Sequence, residues 1–204
     1  MNAVMDEILH SPWVAAAGDL WQQATRARFL DAVADGTLPA EAFQRWLVQD
    51  YAFARGLMSF QAVMTAKAPR AAHGLLVGGL TALDAELTWF EQHAGRLKLE
   101  LHGPPHPVCR RYVDYLIAAA YTQNFGVLAA ILLGVEAAYL AAWSALPASG
   151  PYTEFIERWS SPRFAEYVGR LLKLAGEHEH PDRQPAFNEV LRHERDFWQM
   201  TWES

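Results

Sequence analysis

A chain of 204 residues with 23 acidic and 17 basic side chains, a formal charge of −6 and one cysteine is long enough to bury a sizeable core without disulfides or a structural metal. No basic stripe follows a phosphate backbone, which argues against nucleic acid as a partner. Cys109 alone forms neither an internal disulfide nor a thiolate-rich metal site, and it suits a reducing compartment. The opening Met1-Asn-Ala-Val-Met-Asp-Glu lacks the basic start and long apolar stretch of a secretory signal, so the expected location is cytoplasmic.

Proline and glycine punctuate the chain at Gly36 to Pro39, Pro69, Gly103 to Pro107, Pro147 to Pro151, Pro162 and Pro181, and the intervening stretches are rich in Ala, Leu, Glu and Arg. Helices are predicted over 12–34 with a break inside, 39–67, 70–97, 107–122, 124–145, 152–158, 162–176 and 183–202. No strand alternation, repeat or linker is visible, which gives an all-α fold in a single domain over 1–204. Pro39 and Pro69 suit first-turn positions, and Thr37 or Asn124 suits a cap. The segment from Phe125 to Trp143 is apolar for long enough to raise a transmembrane reading. Glu136 inside it is unfavourable at mid-membrane, so the segment is predicted as the central helix of a soluble bundle.

Three carboxylates fall where apolar residues are expected. At about 100° per residue, Phe43, Leu47, Ala54 and Leu57 form one stripe of the 39–67 helix with Asp50 in its middle. Glu194 holds the same place among Phe187, Leu191, Trp198 and Thr201. Glu136 is the only charge between Phe125 and Trp143, with Tyr139 as its nearest polar companion. Few Lys or Arg share these faces, so the acids must be neutral, hydrogen-bonded, or matched by a ligand. One such acid is ordinarily satisfied by a core Tyr, Trp or backbone group. Three on converging faces, among aromatics, suit a small neutral or cationic nitrogen heterocycle and proton transfer to a leaving amine.

The run Asp35-Gly-Thr-Leu-Pro-Ala-Glu-Ala-Phe-Gln-Arg-Trp-Leu-Val-Gln-Asp50-Tyr51-Ala-Phe53 closely resembles the signature of the TenA/thiaminase II family. Asn124-Phe125, Tyr139 and Glu194-Arg-Asp-Phe-Trp198 match the same family in order and spacing. The resemblance implies the heme-oxygenase-like helical bundle and a hydrolase of thiamin-derived pyrimidines that needs neither metal nor cofactor. It implies that Asp50 hydrogen-bonds the pyrimidine ring and that Glu194 binds the amino group and moves a proton. Tyr112 and Tyr139 match tyrosines that line the site, Phe53 and Trp159 match stacking or bonding tyrosines, and Glu86 matches an acidic position on the third long helix. The family is commonly a homo-oligomer, dimer or tetramer.

One departure decides the chemistry. The family's nucleophilic cysteine aligns with Val135, after Gly134, and valine cannot attack a substrate. Glu136 is adjacent, so the chain resembles a glutamate-type branch associated with hydrolysis of formylaminopyrimidine and aminopyrimidine to hydroxypyrimidine, with little thiaminase activity. Cys109 precedes Arg110-Arg111 at a helix start, a setting that lowers a thiol pKa, yet it is far from the family's cysteine position.

A di-iron oxygenase reading draws on Glu86, His93 and Glu136, but its remaining candidates Glu189, His193 and Asp196 are predicted to face solvent, and His93 to border the site or the surface. The His178-Glu-His180-Pro-Asp182 cluster is predicted to be a solvated loop. A heme ligand would need a histidine on the first helix, and His10 precedes it. A non-enzymatic regulator is the last alternative, disfavoured by the lack of basic charge.

Overall fold

The computed structural model describes residues 3–203. Met1 and Asn2, which open the stretch without a secretory pattern, and Ser204 lie outside the described residues. Among the described residues there is no strand. The chain begins with four short helices, α1 (Ala3–Leu9), α2 (Pro12–Ala17), α3 (Asp19–Thr25) and α4 (Arg28–Asp35). The long α5 (Ala40–Lys67) and α6 (His73–Leu97) follow, the latter entered through a 3-10 turn at Arg70–Ala72. Then come α7 (Pro107–Thr122), α8 (Phe125–Ser144), α9 (Thr153–Trp159), α10 (Pro162–Glu177) and α11 (Arg183–Glu203).

Local chemistry explains most boundaries and corrects several expectations. Pro12, Pro107 and Pro162 occupy first-turn positions where a missing N–H breaks no helical bond. Pro39 and Pro69 instead stand one residue earlier, at the caps. Asn124 caps α8 by accepting the Val127 N–H at 3.2 Å, whereas the Thr37 hydroxyl and N–H are both held by Asp35, at 2.6 and 2.9 Å. The expected 12–34 helix splits in two places: at Gly18, whose φ of 55° is left-handed, and at the extended pair Arg26 and Ala27. Helix α1 has no counterpart among the predicted elements, because seven residues with only Met5 and Ile8 buried show little periodicity.

Helix α8 is apolar on every face and forms the axis of the molecule. It is long and apolar enough to cross a membrane, but most of it is buried inside the protein against α11, α10, α3, α9 and α5. At Gly134 the α11 helix comes close enough that an added Cβ would lie 3.0 Å from Val190 Cγ1. On the other side α5 packs between α6 and α7. Gly56 makes the approach to α7 possible, since a Cβ there would sit 2.6 and 2.7 Å from the two Val113 methyls. Tryptophans 46, 143 and 198 and Phe29 fill the space between the two groups.

Gly56→Ala should therefore destabilise the protein by about 1–3 kcal/mol, the usual range for overpacking a tight helix contact. The double variant Gly56→Ala/Val113→Ala should recover most of that loss in urea unfolding. Equal destabilisation in both variants would place the strain elsewhere.

Candidate active site

Helices α5, α6, α8, α9 and α10 enclose a cavity of about 570 Å³. Its α6 wall is built from small residues, Gly74, Gly78, Gly79, Ala82 and Ala85, and that deficit of side-chain volume leaves the space open. From α5 come Asp50, Phe53, Ala54 and Leu57, from α6 Glu86, from α8 Val135, Glu136 and Tyr139, and from α9 Trp159.

Three acids each receive a hydrogen bond from an aromatic donor on a different helix. The Tyr139 hydroxyl donates to Asp50 Oδ2 at 2.7 Å. Trp159 Nε1–H donates to Glu86 Oε1 at 2.5 Å, and the Tyr112 hydroxyl donates to Glu194 Oε1 at 2.6 Å. Glu136, 8% exposed, has no hydrogen-bond donor among the described residues. No Lys, Arg or His forms an ion pair with these four acids among the described residues, and burial raises every one of their pKa values. Glu136 is pushed to about 8 by burial and by the charges of Glu86 and Glu194. Glu194 also rises to about 8 through burial, with Tyr112 opposing. Asp50 rises well above its usual value through burial and the charges of Glu86 and Glu194, against the Tyr139 bond. Glu86 rises through burial, moderated by Trp159 and by the Arg158 charge. Near neutrality such a cluster holds protons that it can share and release as a coupled set.

A sequence model described as the TENA/THI-4/PQQC family matches residues 14–204. The chain belongs to the TENA/THI-4/PQQC family. It is 30% identical to a TenA homologue from Pyrococcus furiosus whose structure superposes with a TM-score of 0.86, covering 93% of this chain and 97% of that one. A protein named "Probable bifunctional TENA-E protein" from Glycine max is 26% identical over 208 residues, 93% of this chain and 91% of the relative. The thiamine biosynthesis multifunctional protein ThiED of Corynebacterium glutamicum is 24% identical over 90% of this chain, which matches only 25% of that longer protein. A domain from Shewanella denitrificans described as having a heme oxygenase-like fold superposes with a TM-score of 0.69 at 12% identity, covering 93% of this chain and 90% of that one. The fold is the heme-oxygenase-like helical bundle.

The fold converges the residues that the TenA resemblance singles out, but in two tiers. Asp50, Phe53, Glu86, Glu136, Tyr139 and Trp159 line the cavity, with Val135 beside them. Tyr112 and Glu194 do not line it. They form a buried pair behind the wall, where the Tyr112 ring packs on Phe53 at 4.6 Å and the Glu194 charge acts on Asp50 and Glu136. Tyr139, expected beside Glu136, is bonded to Asp50 instead.

Outside the cavity, some expectations change and others stand. Cys109 is fully buried and donates its S–H to the Gln49 carbonyl at 3.4 Å. Burial and the Asp50 charge push the thiol up to about 12, the reverse of the lowering expected at a helix start beside two arginines. His93 is buried, but it turns away from Glu86 and Glu136 to Glu154 and to the rings of Trp89 and Phe155. His193 does not face solvent: its ring stacks on Tyr112 at 4.8 Å and 8°. His10 follows α1 and bonds the Asp6 carbonyl. His180 serves as a local acceptor for the Asp182 N–H, and His178 lies edge-on to Phe125.

Tyr167 is the cavity residue that sequence reading missed. Its hydroxyl and the Gln61 amide both crowd Gly79, where a Cβ would sit 2.5 Å from Tyr167 Oη and 2.1 Å from Gln61 Nε2. The Gln61 amide is anchored to the Leu76 carbonyl at 2.8 Å. The signal was present as the spacing of small residues at Gly74, Gly78 and Ala82, a four-residue stripe ending on Glu86.

The raised pKa values predict an unusual pH profile of stability. A carboxyl titrating near 4.5 when unfolded and near 8 when folded binds more protons in the native state, so stability is greatest below about 4.5 and falls as pH rises towards 8. As far as these acids determine it, the melting temperature should decline between pH 5.5 and 8.5. Glu136→Gln should flatten that decline and melt higher than wild type at pH 8.5. A wild-type profile that rises over this window would contradict neutral acids in the core.

Proposed function

We propose that the protein hydrolyses the exocyclic C–N bond of an aminomethylpyrimidine, and the formamide of that amine, in salvage of thiamin-derived pyrimidine. One observation carries this reading: Glu136 is an acid without a donor, in the cavity beside Val135, the residue that the TenA resemblance aligns with the family's cysteine. Asp50, oriented by Tyr139, anchors the ring. Phe53, Trp159 and Tyr139 shape an aromatic slot, and Glu86 is a second anchor held by Trp159. Protonated Glu136 gives its proton to the leaving nitrogen while water adds to the methylene carbon. The proton released by the water returns to Glu136, so amine plus water yields alcohol plus ammonia with the acid restored. Glu194, held by Tyr112, favours the protonated form of Glu136 through its nearby charge. With the formamide, an earlier hydrolysis releases formate. The scheme uses neither metal nor thiol. We place the activity in the cytoplasm, in a homo-oligomer, dimer or tetramer.

Ammonia and formate release should be detectable from the aminomethyl- and formamidomethyl-pyrimidine, with little or no cleavage of thiamin. Robust thiamin cleavage overturns the reading. Glu136→Gln should lower turnover by on the order of 10²-fold or more, the usual size of a general acid–base contribution, in a protein that melts no lower than wild type. Unchanged turnover with raised stability would make Glu136 structural.

Activity should also survive chelators and Cys109→Ala. Loss of activity on chelation, restored by iron with consumption of dioxygen, would favour the di-iron oxygenase instead.

A further inference from the structure

Among the described residues, four buried polar side-chain atoms have no hydrogen-bond partner: the indole nitrogens of Trp46 and Trp143, Oε1 of Gln61 and Oη of Tyr167. Of these residues, Tyr167 alone lines the cavity. A buried hydroxyl left unpaired costs free energy, so its place there needs a reason. Glu136 is the complementary case. The other three acids of the cluster each accept a bond from an aromatic donor, and Glu136 accepts none. One cavity wall thus holds a carboxyl without a donor and a phenol without an acceptor, on the packed helices α8 and α10.

The phenol is set in place from behind. Gly79 leaves the room, since a Cβ there would lie 2.5 Å from Tyr167 Oη and 2.1 Å from Gln61 Nε2, and the fully buried Gln61 is tied to the Leu76 carbonyl at 2.8 Å. Burial, and next the charge of Glu136, hold the Tyr167 pKa well above the usual tyrosine range, so near neutrality the group is a donor. The Gln61 amide lies close enough to oppose that rise, yet not in hydrogen-bonding geometry. The other groups around Glu136 offer it no donor. Glu86 and Glu194 repel its charge, Asp50 accepts from Tyr139, and Tyr112 donates to Glu194. Arg158 acts on Glu86 and Arg170 on Tyr167, while α3 brings only the exposed Asp19.

We propose that Tyr167 is a positioning residue of the reaction: its hydroxyl donates to the Glu136 carboxylate, directly or through one water molecule, at the stage when Glu136 has given up its proton. Neutral Glu136 does without a donor. Its carboxylate does not, because burial and the charges of Glu86 and Glu194 weigh against it. A bond made to the ionised form alone is stronger in the transition state than in the ground state, so it raises turnover and leaves substrate affinity alone. The phenol keeps its own proton throughout. The role in turnover rests on the proposed function, whereas the pairing rests on the cavity wall alone.

Two readouts separate these. The variant is Tyr167→Phe, which keeps the ring and, having lost an unpaired hydroxyl, should melt no lower than wild type. In protein labelled with ¹³C at the glutamate carboxyls, the Glu136 signal is the one missing from Glu136→Gln. Its titration midpoint should move up by about one unit or more in Tyr167→Phe, the usual effect of losing a hydrogen bond to a charged group. On the aminomethylpyrimidine, kcat should fall by about tenfold or more with KM within about twofold. Placed on Glu136→Gln, Tyr167→Phe should cost less than about twofold further, because it acts through the acid that is gone. An unmoved Glu136 midpoint overturns the pairing whatever the protein hydrolyses. A raised KM with that midpoint unmoved assigns the hydroxyl to the substrate and overturns it too. If the midpoint moves but wild type hydrolyses no aminomethylpyrimidine, the pairing stands and the proposed function falls.

Discussion

Four carboxyl groups share a small buried volume with no lysine or arginine among them on the floor, and this enclosure constrains everything around it. Ionising one makes ionising the next harder, and burial penalises each charge separately. The protein's response is to keep protons on the cluster and to supply neutral donors where it can. Tyr139, Trp159 and Tyr112 take that part. A basic residue in their place would pin a carboxylate permanently ionised. A phenol or an indole steadies the acid while leaving it able to gain or lose a proton.

The same three bonds are also architectural. They join α8 to α5, α9 to α6 and α7 to α11, so six helices are tied in pairs through these groups. Polar networks of this kind are specific when complete and unfavourable when broken. Glu136 stands apart because it projects from the mostly buried α8 and has no such tie. A side chain that contributes nothing to holding helices together, yet carries burial and repulsion, needs a different reason to be there, and a ligand is the available one.

Much of this was legible from spacing. Asp50 and Glu194 could be placed inside because each interrupts an apolar stripe at helical period, and Glu136 because nothing else in its helix is charged. Which acid would meet which donor was not legible. Tyr139 was three residues from Glu136 and nearest in sequence, but residues three apart on a helix share a face without pointing at one another, and the bond went across to Asp50. Cys109 shows the same limit, because the cationic neighbours that suggested a low pKa lie outside while the thiol itself is sealed in. The short helices α2 to α4 were read as one segment over 12–34 broken within, without the two places where it breaks, Gly18 and Arg26–Ala27. Tyr167 escaped notice because it meets Gly79 across the packing of α10 on α6, and a sequence displays neither that contact nor the empty space beside Gly74 and Gly78.

That emptiness has an evolutionary meaning. On the α6 wall, a methyl group added at Gly74 or Gly78 would meet nothing within 4 Å, whereas at Gly79 it would collide with Gln61 and Tyr167. The first two positions are therefore free parameters: the cavity can shrink by one methyl at a time while the acids, the aromatic donors and the helix contacts stay where they are. Cavity volume is thus bounded by glycines of α6, apart from Asp50 on α5 and Glu136 on α8, to which the proposed chemistry belongs. A lineage carrying this scaffold can change which molecules it admits without relearning how to act on them.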